Sequence, residues 1–253
     1  MQVDSFSRTF ATPYFGIGAT FYFALTRVMS SYSVYFAGEL FSAKHLYGNV
    51  LLAEELYELS EGRFISVVPQ NLEQRETTAH SIRDQDIRTC LSCDIGLFHY
   101  DGPELESGTV VEFLFAKFAD IPSVLLRTDF RKGGDQGNDP WNLMTSFFPR
   151  TEVVTLDAMS IYKEAFAENQ ASASDLLRSK AGSAASAAMT RVIAQKIVPA
   201  LDRVLAIPPI LTRDKATAIY EWLAIMPGFQ NGSKTNAEFV LDQLQTKLAR
   251  KLL

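Results

Sequence analysis

The segment DIGLFHYDGPELESGTVVEFLFAKFADIPSVLLRT, residues 94–128, contains a complete strand–helix–strand unit. Residues 94–100 and 122–128 are short apolar runs typical of buried strands, and residues 108–120 between them are typical of a helix. Two consecutive strands joined by a helix of this length lie parallel, because parallel strands need a long crossover connection. The segment therefore predicts an α/β fold in which helices cover both faces of a parallel sheet.

The same alternation extends on both sides of this segment and raises the number of predicted strands to five. Residues 41–62 and 72–93 are predicted helices, the first with Ser42 at its N-cap. The additional strands are predicted at residues 33–38, 63–70 and 151–156.

The alternation stops after residue 156, and the remaining chain has a purely helical character. A long Ala/Ser-rich stretch is broken at residues 207–214, where Thr212 or Asp214 starts another helix, and an amphipathic helix follows at residues 237–253. We therefore divide the chain into an N-terminal extension or packing arm, an α/β domain and a helical C-terminal extension, at residues 1–31, 32–157 and 158–253.

Residues 10–31 are aromatic and nearly uncharged, a composition that also occurs in membrane anchors and leaders. The stretch is short for a membrane span, and Arg27 interrupts it. A signal peptide would carry several basic residues near its start, whereas Arg8 stands alone. We interpret the stretch as an upstream-extended start or a peripheral packing arm.

Charge and composition exclude several classes of partner. The formal net charge is −5 and the chain has no basic tract, which argues against nucleic acid and against an anionic membrane surface. Cys90 and Cys93 are the only cysteines, and three histidines add little, so we predict a buried thiol pair in a reducing compartment rather than a metal or redox site.

Several acidic and polar residues follow the predicted strands. Ligands of open α/β sheets bind beyond the carboxyl ends of the strands, where the loops after the first, third and fourth strands meet. This rule gathers Tyr35, Glu106, Glu112 and Asn142 at one edge, and Asp86 joins them if its helix leans over that edge.

Glu112 lies in the opening turns of a helix that Ser107 is expected to cap. The positive helix end should lower the pKa of this carboxyl and keep it ionised, while Val111 and Phe113 exclude water. An ionised carboxylate in such a place is a capable nucleophile, and a more protonated Asp86 would supply a proton to a leaving group, as in retaining glycosyl chemistry. The alternative is that Glu112 is an ordinary solvated acid near a helix start.

Four segments in this order resemble the nucleoside 2-deoxyribosyltransferase family: VYFAGELF at 34–41, RDQDIRTCLSCDIGLFHYDG at 83–102, ELESGTVVEFLFA at 104–116 and PWNLM at 140–144. The resemblance covers residues 33–159, about half the chain. It implies a flavodoxin-like or Rossmann-like parallel five-stranded sheet flanked by helices, to which this chain adds its C-terminal helical extension.

The resemblance also implies a role for particular residues. The catalytic set would be Glu112 as nucleophile, Asp86 as acid, and Glu106 and Tyr35 as residues that hold the sugar hydroxyls and orient Glu112. The substrate-binding set would be Gly38, Phe41, Asp94, Asp101, Gly108, Asn142 and Met144, the last two lent to a neighbouring subunit of a homo-oligomer.

The implied activity is transfer of a 2-deoxyribosyl group between nucleobases by double displacement, through a covalent glutamyl-deoxyribose intermediate. The partners would be a nucleoside and a free nucleobase, without a cofactor or metal, in a cytoplasmic enzyme of nucleotide salvage. The alternatives are hydrolysis of the N-glycosidic bond of nucleosides or deoxynucleoside 5′-monophosphates, and a non-catalytic nucleoside- or nucleotide-binding protein. Glu39 in the first loop argues against a phosphate there.

The chain departs from the family pattern in three places. The loop acid is commonly Asp, and here it is Glu106; Phe113 and Leu114 replace the usual Leu-Gly after the nucleophile. In short family members the terminal carboxylate reaches the active site, whereas about ninety residues follow the fifth strand here.

Without the resemblance, these residues have ordinary structural interpretations. Tyr35 and His99 on buried strands are typical core residues, and Met144 is typical of core packing. Asn142 and the Asp101–Gly102 pair are typical turn residues, and Asp94 is typical of a cap.

Overall fold

The computed structural model describes residues 30–72, 78–131, 142–172, 180–226 and 234–253. The prediction of an N-terminal arm therefore falls almost entirely outside the described residues.

The core of the molecule is one parallel five-stranded sheet with the strand order β2-β1-β3-β4-β5. This order is that of flavodoxin-like folds, so the predicted fold class is confirmed. In this order the strands next to β1 are β2 and β3, and ligands of such sheets bind at the carboxyl edge near this switch point. The strands are β1 (Tyr32–Ala37), β2 (Phe64–Val67), β3 (Ile95–His99), β4 (Ser123–Arg127) and β5 (Thr151–Thr155).

Seven α-helices are seen in the described residues, and two of them begin at capping residues predicted from the sequence. The Ser42 hydroxyl accepts a hydrogen bond from the His45 backbone N–H at the first helix, and Thr212 is the N-cap of the sixth, as predicted. None of the described helices is long and apolar enough to cross a membrane. The helices are α1 (Ala43–Leu59), α2 (Ala79–Ser92), α3 (Ser107–Phe118), α4 (Ala158–Ser172), α5 (Ala181–Ala206), α6 (Arg213–Ile225) and α7 (Lys234–Ala249).

Alternate strand residues face two separate helical layers. In β1, Val34 and Phe36 pack with α1 and α5, whereas Tyr35 and Ala37 pack with α2, α3, α6 and α7. The helices after residue 158 thus complete both layers of the core and share it with the α/β part. The domain division at 157/158 stays a prediction.

The amino edge of the sheet is tied to α7 and the residues after it. The Lys247 ammonium is 2 % exposed and donates a hydrogen bond to the Cys93 carbonyl oxygen. Cys90 and Cys93 are buried free thiols, and burial raises the pKa of Cys93 to about 11, so neither is poised as a thiolate. Within the described ranges, no three His, Cys, Asp or Glu side chains are arranged to hold a metal ion.

Candidate active site

Glu112 and Tyr35 form the centre of the site. Tyr35 lies on β1 with no exposed surface, and its hydroxyl donates a hydrogen bond of 2.7 Å to Glu112 Oε1 on α3. Burial and the neighbouring Glu112 carboxyl raise the pKa of Tyr35 well above its usual range, so the phenol keeps its proton. This geometry agrees with the predicted orienting role of Tyr35, whereas the side chain has no exposed surface for the predicted contact with a sugar.

Two adjoining cavities meet at Glu112. The edge cavity, about 450 Å³, lies at the carboxyl edge of the sheet, and the interhelix cavity, about 400 Å³, lies between α2 and α3. We call the two together the catalytic cleft. Both are lined by Ile82, Asp86, Gly108 and Glu112.

Two carboxyl groups of the cleft, those of Glu112 and Asp86, hold protons more tightly than isolated acids. Burial raises the pKa of Glu112 to about 8; the Tyr35 hydrogen bond opposes this rise, and the neighbouring Asp86 and Glu106 charges add to it. Burial also raises the pKa of Asp86 to about 6. The structure thus agrees with a protonatable Asp86, but the expectation that the helix end keeps Glu112 ionised is wrong. Glu112 is the sixth residue of α3, and the influence of a helix terminus fades beyond the first turn.

Glu106 caps α3, and Ser107, the predicted cap, is instead the first helical residue. The Glu106 carboxylate accepts hydrogen bonds from the Gly108 backbone N–H and the Thr109 hydroxyl, both at 2.8 Å. A Cβ on Gly108 would lie 3.0 Å from a Glu106 oxygen, so any other residue here would crowd the capping carboxylate. Glu106 still lines the edge cavity, with much of its acceptor capacity already used by the helix start.

Two further predicted ligands of the substrate line the edge cavity. Gly38 follows β1, and a Cβ there would lie 3.0 Å from His99 Cβ, so glycine lets the β1–α1 loop approach β3. Phe41 stands at the cavity with 75 % of its surface exposed. Together with Gly108, these residues lie where the sequence placed them.

Asp94 does not reach the cleft, which corrects its predicted role. It immediately precedes β3 and therefore lies at the amino edge of the sheet, opposite the cleft. Its carboxylate pairs with Arg250 at 2.6 Å and accepts the Ser33 backbone N–H at 2.8 Å. Its contacts are those of a structural residue.

Asp101 lies at the carboxyl edge but lines a different cavity, on the α1 side of the sheet. It accepts hydrogen bonds from the Thr128 backbone N–H, the Thr128 hydroxyl and the Asp129 N–H, and it pairs with His99 at 2.9 Å. Although burial opposes it, these partners hold the pKa of Asp101 well below its usual range.

Asn142 and Met144 line none of the cavities described for their own chain. Asn142 Oδ1 accepts hydrogen bonds from the Thr145 backbone N–H and hydroxyl, at 3.1 and 3.2 Å, and so caps the short 3₁₀ helix Leu143–Thr145. Met144 on this helix is 82 % exposed. Pro140 and Trp141 of the same motif lie outside the described residues.

Glu39 does not face the catalytic cleft, so the sequence argument from it against phosphate does not hold. Its carboxylate pairs with His45 at 2.8 Å on the α1 side of the sheet. The described lining of the edge cavity nevertheless has acidic side chains and no Lys or Arg. This part of the cleft suits an uncharged group better than an anionic one, whereas the interhelix cavity has Arg83 in its wall, paired with Asp84.

Sequence reasoning overlooked two parts of the cleft. Gln70 lines the edge cavity just after β2, and the carboxyl-edge rule would have found it had the loop after β2 been included. Met226, at the end of α6, lines the interhelix cavity beside Glu112. No local signal marks Met226, because its position follows from how α6 packs on α2 and α3.

The fold and cleft define a class of protein: an α/β protein with two coupled carboxyl groups in a ligand-sized cleft at the carboxyl edge of its sheet. Residues 34–144 match the family model described as Nucleoside 2-deoxyribosyltransferase. This part of the chain is therefore similar to the nucleoside 2-deoxyribosyltransferase family.

Solved structures include similar chains. One is a conserved protein from Enterococcus faecalis V583, with 26% identity and a TM-score of 0.42, covering 50% of this chain and 92% of that one. Another is a 2-desoxiribosyltransferase from Leishmania mexicana, with 20% identity and a TM-score of 0.37, covering 54% of this chain and 97% of that one. A search of curated proteins finds no match.

Proposed function

We propose that this chain transfers the 2-deoxyribosyl group of a nucleoside to a second nucleobase. The observation that carries the proposal is the hydrogen bond from buried Tyr35 to Glu112, which aims this carboxyl at a cleft that also contains Asp86. Such base exchange would serve nucleotide salvage.

The reaction runs in two displacements. The Glu112 carboxylate attacks C1′, the N-glycosidic bond breaks, and the bond's electron pair stays with the base nitrogen, which takes a proton from Asp86. A glutamyl-deoxyribose ester results. A ring nitrogen of the second base then attacks C1′, its proton passes to Asp86, and the ester breaks to restore the Glu112 carboxylate.

This chemistry requires the carboxyl pair to hold one proton. With apparent pKa values of about 6 and about 8, the pair carries one proton around neutral pH. The productive form has that proton on Asp86. Because Glu112 has the higher pKa, this is the minor of the two one-proton forms, and the Tyr35 hydrogen bond raises its share by stabilising the ionised state of Glu112.

The test is base exchange followed by chromatography. Deoxyinosine and adenine, incubated with the protein, should yield deoxyadenosine and hypoxanthine. Free deoxyribose from deoxyinosine without an acceptor base would identify hydrolysis, with water as the second acceptor. If neither an exchanged nucleoside nor free sugar appears, the proposal is contradicted for these substrates.

We further propose that a second copy of the chain completes the site with Asn142 and Met144. Supporting this, Leu143, Met144 and Phe147 are all more than half exposed, although they are large and apolar. Mixing a Glu112→Gln protein with an Asn142→Ala protein, each inactive alone, should restore activity through hybrid oligomers with one intact site. Failure of a verified hybrid to regain activity would refute the shared site.

A further inference from the structure

A second ligand-sized space lies at the carboxyl edge, on the opposite helical layer. It consists of an outer chamber of about 780 Å³ and an inner chamber of about 270 Å³, and we call it the rear cavity. It shares no lining residue with the catalytic cleft. Both chambers are lined by Glu39, His45, Asp101, Thr128, Ala158 and Met189.

The rear cavity and the edge cavity lie back to back across the β1–α1 loop and the start of α1. Gly38 lines the edge cavity and its neighbour Glu39 lines the rear cavity. The Asn49 side-chain amide, in the wall of the inner chamber, donates to the Glu39 carbonyl at 3.0 Å and to Gln70 Oε1 at 3.2 Å. Since Gln70 lines the edge cavity, one hydrogen bond joins the two walls.

The charges of the rear cavity suit an uncharged ligand. Each of its carboxylates already has a partner: Glu39 pairs with His45, Asp101 with His99, and Asp129 with Arg131, each within 3 Å. Lys44 also lines the inner chamber, but its side chain is exposed to solvent. A charged ligand would lose hydration without gaining an unpaired counter-charge among the described carboxylates.

The volume of the inner chamber and the apolar lining suit a small ring. Met189, Leu52 and Ile193 line the inner chamber, and Tyr162 and Met159 line the outer one. The inner chamber is smaller than the roughly 300–1,000 Å³ typical of drug-sized ligands, so it fits one small ring system.

Gly48 lies in the wall of the inner chamber, at an exposed position of α1. It lies in the interior of α1, where glycine is a poor helix former, and a Cβ there would meet nothing within 4 Å. The helix therefore leaves free space at this wall that a larger side chain would fill.

We propose that the rear cavity is a second binding site, for an uncharged planar heterocycle with N–H donors and ring-nitrogen acceptors, the chemistry of a nucleobase. The inner chamber takes the ring, and the outer chamber has room for a neutral sugar. The Glu39–His45 and His99–Asp101 pairs offer donors and acceptors to the ring edge. The proposal does not depend on the proposed transfer reaction, because the two spaces share no lining residue.

The test is NMR of protein labelled with methyl-¹³C methionine, titrated with adenine, hypoxanthine, thymine and cytosine. Met159 and Met189 report the rear cavity, and Met226 reports the catalytic cleft. At least one base should shift the Met189 signal. Gly48→Leu should weaken that binding at least tenfold and leave the Met226 response unchanged, whereas the matched control Gly48→Ala should retain most of it.

The proposal is overturned if no base shifts Met189, or if Gly48→Leu binds as tightly as the parent. Shifts of Met226 alone would overturn it while leaving the transfer reaction intact. A Gly48-dependent shift of Met189 in a protein that neither exchanges nor hydrolyses deoxynucleosides would uphold it and reject the transfer reaction.

Discussion

The amino edge of the sheet and the catalytic cleft hold their buried carboxyl groups in opposite ways. At the amino edge, buried Asp94 and Asp120 pair with Arg250 and Arg150. At the carboxyl edge, Glu112 is bound by a neutral phenol, and no Lys or Arg of the described residues pairs with it.

The difference distinguishes carboxyl groups that stabilise the fold from carboxyl groups that are suited to catalysis. A buried carboxylate with a cationic partner is compensated and holds elements together. A buried carboxyl without one keeps its proton to unusually high pH, and such groups are suited to proton transfer and nucleophilic attack. The five predictions below test this contrast.

The largest expected effect is that of Glu112→Gln on base exchange. Loss of the nucleophile should lower kcat/KM by about 10⁴-fold or more, because no other group forms the glycosyl ester. Chromatographic rates measure the loss, and an unchanged circular dichroism spectrum is the control. Activity within tenfold of the parent would show that Glu112 is not the nucleophile.

Asp86→Asn should reduce exchange from deoxyadenosine by roughly 10²–10⁴-fold, the usual worth of a general acid. The loss should be much smaller for 7-methyl-2′-deoxyguanosine, whose cationic base leaves without a proton. Parallel assays of the two substrates decide the point, since equal losses would mean that Asp86 does not protonate the leaving base.

At the opposite edge, Asp94→Asn should affect stability rather than rate. It removes the charge that pairs with the partly exposed Arg250, for a loss of about 2 kcal/mol in the free energy of unfolding. Urea denaturation measures this loss, and kcat of the folded protein should stay within twofold. A reduced kcat with an unchanged free energy of unfolding would indicate that Asp94 acts in the catalytic site after all.

The Glu112→Gln protein should be more stable than the parent at alkaline pH. The pKa of Glu112 is raised from 4.5 to about 8, so the folded state binds the extra proton and loses stability as pH rises between these values. Gln cannot ionise, so the variant avoids this loss. Its free energy of unfolding should exceed that of the parent by on the order of 1–2 kcal/mol after allowance for partial hydration, which corresponds to several degrees in Tm. Melting curves at pH 4.5 and 8.5 measure it; an equal difference at both pH values would contradict it.

The smallest expected effect is that of Tyr35→Phe on the pH profile. Wild-type kcat/KM should be bell-shaped, with limbs near pH 6 and pH 8, where the pair holds one proton. Removing the Tyr35 hydroxyl raises the pKa of Glu112, so the alkaline limb should move up by about half a unit and the maximum should fall severalfold. A limb that stays in place would show that Tyr35 does not tune Glu112.

The five strands of the sheet could be predicted from the sequence, because each strand is a short apolar run between helical segments. The site could be predicted from the sequence only in part. Glu112 and Asp86 line one cleft, as expected. Asp94 was misplaced because, one residue before β3, it lies at the amino edge of the strand. Ser107 was the expected cap by residue type, but the longer side chain of Glu106 folds back onto the helix start.

The raised pKa of Glu112 could not be predicted from the neighbouring sequence, because it depends on residues from distant parts of the chain. Its hydrogen-bond partner, Tyr35, lies 77 residues away in sequence. Met226, in the wall of the same cleft, comes from the helices whose packing the sequence left open. Helical periodicity predicted those elements, but not which face of the sheet each would cover.

The attachment of Arg250 has a consequence for the order of synthesis. Its guanidinium binds both Asp94 and the carbonyl oxygen of Ser31, 219 residues away, so β1 is fastened by a side chain that is synthesised long after it. At a translation rate of roughly 5–20 residues per second, the interval between finishing β5 and finishing α7 is on the order of 5–20 s. During it, the apolar surfaces later covered by α5, α6 and α7 are open to chaperones on the ribosome.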